Sequence, residues 1–117
     1  MKLIVDEERF DSLQAHLVAE IVASIRDGLL EAGIKDDQVL YEATGNIAFS
    51  VAAIVDGSRI MELDGREVVP VLTFSDERNG DNLISAETGG SWLHEYVFGT
   101  VDEVFAAEDE EPPESEG

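Results

Sequence analysis

The sequence predicts an α+β domain: two N-terminal helices, a β-hairpin, and a C-terminal helix packed on a small antiparallel sheet. Three observations carry that expectation. Apolar residues recur at spacings of four from Leu13 to Leu29, an Asp64-Gly65 pair separates two β-branched runs, and a second strong helical stripe runs from Leu93 to Val104. At 117 residues the chain is long enough to bury a core without disulfides or metals. It contains no cysteine, which removes thiolate zinc sites and cysteine nucleophiles and suits a reducing cytoplasm.

The first residues, MKLIVDEERF, place a short apolar run directly before acids and so provide no leader-like apolar segment. Residues 10–33 read as the first helix. Leu13, Leu17, Ile21, Ile25 and Leu29 form its stripe with Val18 and Val22 beside it, Asp11 and Gln14 resemble a capping box, and Gly33 is placed to end it. Residues 36–56 read as a second helix. Asp36 or Asp37 caps it, Leu40, Ala43, Ile47, Val51 and Ile54 give the stripe, and Gly57 stops it. The competing reading is a buried strand over residues 47–55, where apolar side chains also alternate and where Gly45-Asn46 disfavours a helix. Ala48, Ala52 and Ala53 favour the helix, and either reading makes the segment central core covered on more than one side.

Residues 59–74 read as a hairpin with a type I′ turn at Asp64-Gly65, and Pro70 marks an edge or a bulge. Residues 75–82, SDERNGDN, form a polar loop that can lead to a short third strand at residues 83–85. The last helix is expected to begin near Ser91, after Gly89-Gly90, and to bury Leu93, Val97, Val101 and Val104, or the adjacent Trp92, Tyr96 and Phe105. Residues 1–107 thus make one acidic domain. Residues 108–117, EDEEPPESEG, are expected to form a disordered tail.

Charge dominates the composition. Acids number 27 against seven bases, a formal net charge of −20. Six of the acids lie in the last ten residues, and without them 21 acids still face seven bases, a charge of −14. The bases are scattered, so no surface is available to displace counterions from phosphates, and direct nucleic-acid binding is excluded. The same charge is repelled by an anionic leaflet, and no uncharged run approaches the roughly 18 residues of a spanning helix, so no membrane partner is expected.

No motif specifies a reaction. His16, four residues before Glu20, and His94, early in the last helix, lack metal-ligand partners at helical spacing and read as surface or helix-terminal side chains. No strained-elbow GxSxG supports a Ser/His/Asp nucleophile. SDERNGDN places Arg78 where a calcium loop needs oxygen, and TGGSW has no basic residue to make a phosphate cradle. No cofactor, metal site or catalytic residue is expected.

Three readings of the acidic surface follow: adaptation to salt or for solubility, a surface for a basic partner, or an enzyme pocket whose acids sequence cannot order. The favoured function is a small non-enzymatic interaction protein. It binds a basic partner, including a nucleic-acid-binding one, as an inhibitor or nucleic-acid mimic. The candidate partner-facing acids are Glu20, Asp27, Glu31, Asp36, Asp37, Glu62, Asp64, Glu67, Asp102 and Glu103. The alternative is a salt-adapted or housekeeping domain with a small-molecule pocket near residues 75–82 or Gly89-Gly90. Acids gathered on one elongated face favour the mimic, and acids spread evenly favour salt adaptation.

Overall fold

The structure, a computed structural model, describes residues 2–75, 80, 82–86 and 91–109, excepting the side chains of 108 and 109. The fold is α+β, as expected, with three helices, a three-stranded sheet and a separate two-stranded one among the described residues. In chain order these are β1 (Leu3–Val5), α1 (Glu7–Glu31), α2 (Asp37–Val55), β2 (Met61–Leu63), β3 (Arg66–Val68), β4 (Phe74–Ser75), β5 (Leu83–Ser85), a 3-10 turn (Leu93–Tyr96) and α3 (Val97–Asp109).

α1 begins earlier than its sequence suggested. Its cap is Asp6, whose side chain accepts from Arg9 N–H at 3.1 Å, and Glu7 and Glu8 complement the positive end of the helix. Asp11 and Gln14 lie inside the helix, so the capping box is not formed. The other end is the expected one: Gly33, at φ 101°, lets its own N–H reach Leu30 and that of Ile34 reach Leu29, the paired bonds of a Schellman stop. The buried line is Phe10, Gln14, Val18 and Val22, with Leu13, Leu17, Ile21 and Ile25 half-buried beside it.

α2 is a helix capped by Asp36, whose carboxylate accepts from Val39 N–H at 3.0 Å, and the strand alternative for residues 47–55 is set aside. Its core face, however, is not the expected stripe. Leu40, Thr44, Gly45, Ala48, Ala52 and Ala53 are buried, Ala43 and Val51 are half-buried, and Ile47 and Ile54 are exposed. Small residues turn inward because α1 and α3 both pack against α2, and short side chains allow the close approach. A Cβ on Gly45 would lie 3.1 Å from the Phe98 ring, which explains a glycine in mid-helix. The segment is therefore core on one side and apolar surface on the other. By length and composition alone α2 is long and apolar enough to cross a bilayer, at 19 residues and a mean hydropathy of 1.2 over its most apolar window.

α1 and α3 run parallel and pack directly on each other, and α2 packs against both in the opposite sense, as contacts at both ends require. Gln14 meets Ser91 and Trp92 at one end, and Arg26 meets Phe105 at the other. Val18, Val22, Ala48, Ala52, Leu93, Val97 and Val101 fill the centre of this bundle. The last helix begins later than expected, at Val97, after the 3-10 turn. It buries the predicted line of Leu93, Val97 and Val101, and Trp92 stays exposed. It packs on the other two helices rather than on the sheet.

The main sheet has the order β1-β5-β4. β5 is the short strand anticipated at residues 83–85, and it is central. It runs antiparallel to β4 (Phe74↔Ile84) and parallel to β1 (Leu3↔Leu83, Val5↔Ser85). A second, smaller core of Phe10, Ile84 and Ala86 seats this sheet on the start of α1, and Phe10 meets the edge of Phe74 at 5.4 Å between ring centres. The hairpin turn is the expected one, with Asp64 at φ 53° and Gly65 at φ 74°. β2 and β3 stop before Pro70 and form a sheet of their own.

Candidate functional site

The end of the bundle where α1 and α3 finish and α2 begins holds a groove of about 550 Å³. Its lining includes Arg26 from α1, Asp37, Gln38 and Tyr41 from α2, and Asp102 and Phe105 from α3. Arg26, largely buried, lays its guanidinium 5.4 Å over the Phe105 ring and reaches Asp27 at 3.3 Å. Tyr41 stands edge-on to Phe105 and donates its hydroxyl to Asp102 at 2.5 Å. That bond, and the nearby negative charge, hold the Tyr41 hydroxyl above the ordinary phenol range. The groove thus combines two exposed carboxylates with two aromatic faces, surroundings that suit a guanidinium or ammonium group.

The acids at this end of the bundle meet helix dipoles of both signs. α1 ends with Asp27 and Glu31 and no basic residue in its last turn, and α3 likewise lacks one. Carboxylates at the negative end of a helix dipole are unfavourable. Asp36 and Asp37 stand at the start of α2, where the dipole favours them.

The ten predicted acids are all exposed but are not brought onto one face. Asp27, Glu31, Asp36, Asp37 and Asp102 gather at this end of the bundle, and of these Asp37 and Asp102 share the groove. Glu62, Asp64 and Glu67 belong to the hairpin. Glu103 lines a shallow cleft with Ala15, Ala19 and Tyr96, and Glu20 sits on the outer face of α1, 3.5 Å from His16. The groove itself was not visible in the sequence. Its signal was present, though, in Tyr41 and Phe105 sitting beside acids on two different helices.

The histidines divide. His16 is a surface side chain, as expected. His94 is half-buried and belongs to a polar knot at the opposite end of the bundle. Asp56, the C-cap residue of α2 and only 7% exposed, accepts from His94 N–H at 3.0 Å and from its Nδ1 at 2.6 Å. The other carboxylate oxygen accepts from Ser58 N–H at 2.9 Å. Burial pushes the Asp56 carboxyl up, and the bonds from His94 and Ser58 outweigh it, so the group lies below the ordinary aspartate range. Ser58 Oγ is 3.1 Å from the same Nδ1. A serine relay needs the hydroxyl on Nε2 while the acid holds Nδ1. Here both converge on one nitrogen, and the knot caps the 3-10 turn from α2 instead of activating a hydroxyl.

Among the described residues no group of three or more His, Asp or Glu side chains is arranged to hold a metal ion. Most of the SDERNGDN loop (residues 76–79 and 81), the Gly89-Gly90 lead-in and residues 110–117 of the proposed tail lie outside the described residues. Comparison with protein-family models, with curated proteins and with solved structures gives no match for this chain.

Proposed function

We propose that this is a non-enzymatic interaction protein that receives a basic segment of a partner at the acidic end of its helical bundle. The observation that supports the reading is the groove. Two exposed carboxylates, Asp37 and Asp102, stand there beside aromatic faces, on one of which a guanidinium, that of Arg26, already rests. A partner's arginine or lysine between Asp37, Tyr41 and Asp102 neutralises that charge and stacks on an aromatic ring. Inhibition of a nucleic-acid-binding partner is the finer form of the reading, in which the acids compete with phosphates for the partner's cationic surface. The alternative, a small-molecule pocket, draws on the groove's volume, which falls within the usual range for ligand sites.

The test is recovery of partners from native lysate at low and then moderate salt, repeated with charge reversals. Binding is expected to weaken steeply between roughly 50 and 200 mM salt. It is expected to be lost in Asp37→Lys/Asp102→Lys and kept in Glu20→Lys/Glu103→Lys, and duplex DNA competes where the partner binds nucleic acid. Equal loss from every reversal means nonspecific attraction and overturns the reading. No partner at low salt does the same and transfers the groove to the small-molecule alternative.

A further inference from the structure

The hairpin stands apart from both cores. Every residue from 61 to 69 is exposed, and β2 and β3 pair only with each other among the described residues. Its root is nevertheless fixed. Arg59 N–H donates to Ala53 at 3.0 Å, and Gly57, at φ 82°, lets the Pro70 carbonyl come within 2.8 Å of where a Cβ would stand. The molecule thus holds out a firmly rooted two-stranded ribbon, an arrangement that is marginal in water until a third strand or another element covers it.

The register defines what could cover it. Met61 faces Val68, Glu62 faces Glu67, and Leu63 faces Arg66. Side chains alternate between faces, so Met61, Leu63 and Val68 share one side with Arg66 at its β3 end, and Glu62 and Glu67 meet as like charges on the other. The two-residue turn makes Leu63 and Arg66 a hydrogen-bonded pair. By alternation, the N–H and C=O of Glu62 then point outward from the β2 edge. That edge reads apolar, acidic, apolar.

We propose that the β2 edge is a docking edge for an extended segment of a partner protein in which apolar and basic residues alternate. Such a segment adds as a third strand. Its basic residue lies directly opposite Glu62 and relieves the Glu62–Glu67 repulsion, while its apolar neighbours extend the Met61–Leu63 face. β3 is the poorer edge, because Arg66 replaces an apolar residue in the equivalent pattern. Charge disfavours a second copy of the chain as the occupant. Pairing β2 with β2 or β3 sets acid against acid in molecules that each carry −20. The proposal rests on the cationic-partner reading for the sign of the partner's charge, and adds a second contact for that partner, remote from the groove, and the conformation it takes there.

The test uses the full chain, isotope-labelled, titrated at low salt with three probes: a short peptide of alternating valine and lysine, a scrambled peptide of the same composition, and the alternating peptide N-methylated at every second amide. The alternating peptide is expected to shift the Met61–Leu63 amides, protect the Glu62 amide from exchange, and bind about tenfold or more tighter than the other two. Glu62→Lys is expected to abolish this binding with core resonances unmoved, and Glu62→Gln to weaken it. Asp37→Lys/Asp102→Lys is expected to leave it intact. Equal affinity for all three probes, shifts centred on the groove, or hairpin shifts that grow with protein concentration alone each overturn the docking edge. If it falls in this way while Asp37→Lys/Asp102→Lys still loses the lysate partner, the cationic-partner reading survives. If no lysine peptide binds anywhere at low salt, both fall.

Discussion

A buried amide, Gln14, joins the first helix to the start of the last. Its Oε1 accepts from the Ser91 hydroxyl and from Trp92 N–H at 3.2 Å, and its Nε2 donates to Asp11 at 3.2 Å. Gln14→Leu keeps the bulk and strands both donors, so a loss of about 1–3 kcal/mol in urea unfolding is expected. Asp56 performs the corresponding task at the end of α2, where its depressed acidity gives stability a definite pH signature. A carboxylate whose folded value lies below the ordinary 3.8 stabilises fully above that value and loses the contribution as pH falls through the lowered one. Asp56→Asn is therefore expected to be less stable at neutral pH by about 2 kcal/mol, the worth of hydrogen bonds to a charged group. The difference from the parent is expected to close as the pH falls below about 4, read from melting temperatures across that range. An undiminished gap in acid would assign the effect to packing.

Between neighbouring elements the deciding quantity is side-chain size. Ala48 and Ala52 are wholly buried between α1 and α3. Ala48→Leu is accordingly expected to destabilise by about 1–3 kcal/mol, and Ile47→Ala, one position away on the exposed side, to change little in the same denaturation experiment. Hydropathy in the sequence suggested a neighbouring face, about a quarter-turn away and sharing Leu40 with the true one, because a stripe of large apolar residues normally marks the inside. A triple contact among helices selects small residues instead, and nothing local announces that two helices will press on the same face. Signals of backbone chemistry survived better. Gly33 and Asp64-Gly65 demand positive φ wherever the chain folds, and Asp36 caps whatever packs above it. β1 left only three apolar residues before a run of acids, too short for alternation to register. The groove was illegible for a similar reason: Tyr41 and Asp102 lie on different helices, and their meeting is decided by tertiary packing.

For the molecule as a whole, charge opposes compactness. With −20 on 117 residues and acids on the helix ends, the hairpin and the outer face of α1, self-repulsion destabilises the fold wherever it is unscreened. The melting temperature is expected to rise as salt is added from low ionic strength to about 0.15 M, where the Debye length has shrunk to about 8 Å. A flat profile would mean that the acids already sit too far apart to interact. The parallel pairing of β1 with β5 bears on a different property, the order of assembly. Leu3 meets Leu83 across eighty positions of chain, so on a ribosome α1, α2 and the hairpin have all emerged before the first strand has anything to pair with. The helices have short-range contacts to make while they wait, but Phe10 lacks Ile84 until the sheet closes. Closure of that sheet, like the docking of α3 on α1, is expected among the late steps of folding, and a nascent chain stalled before residue 83 exposes an apolar strand and an aromatic ring together, the surface that a chaperone recognises or that aggregation exploits.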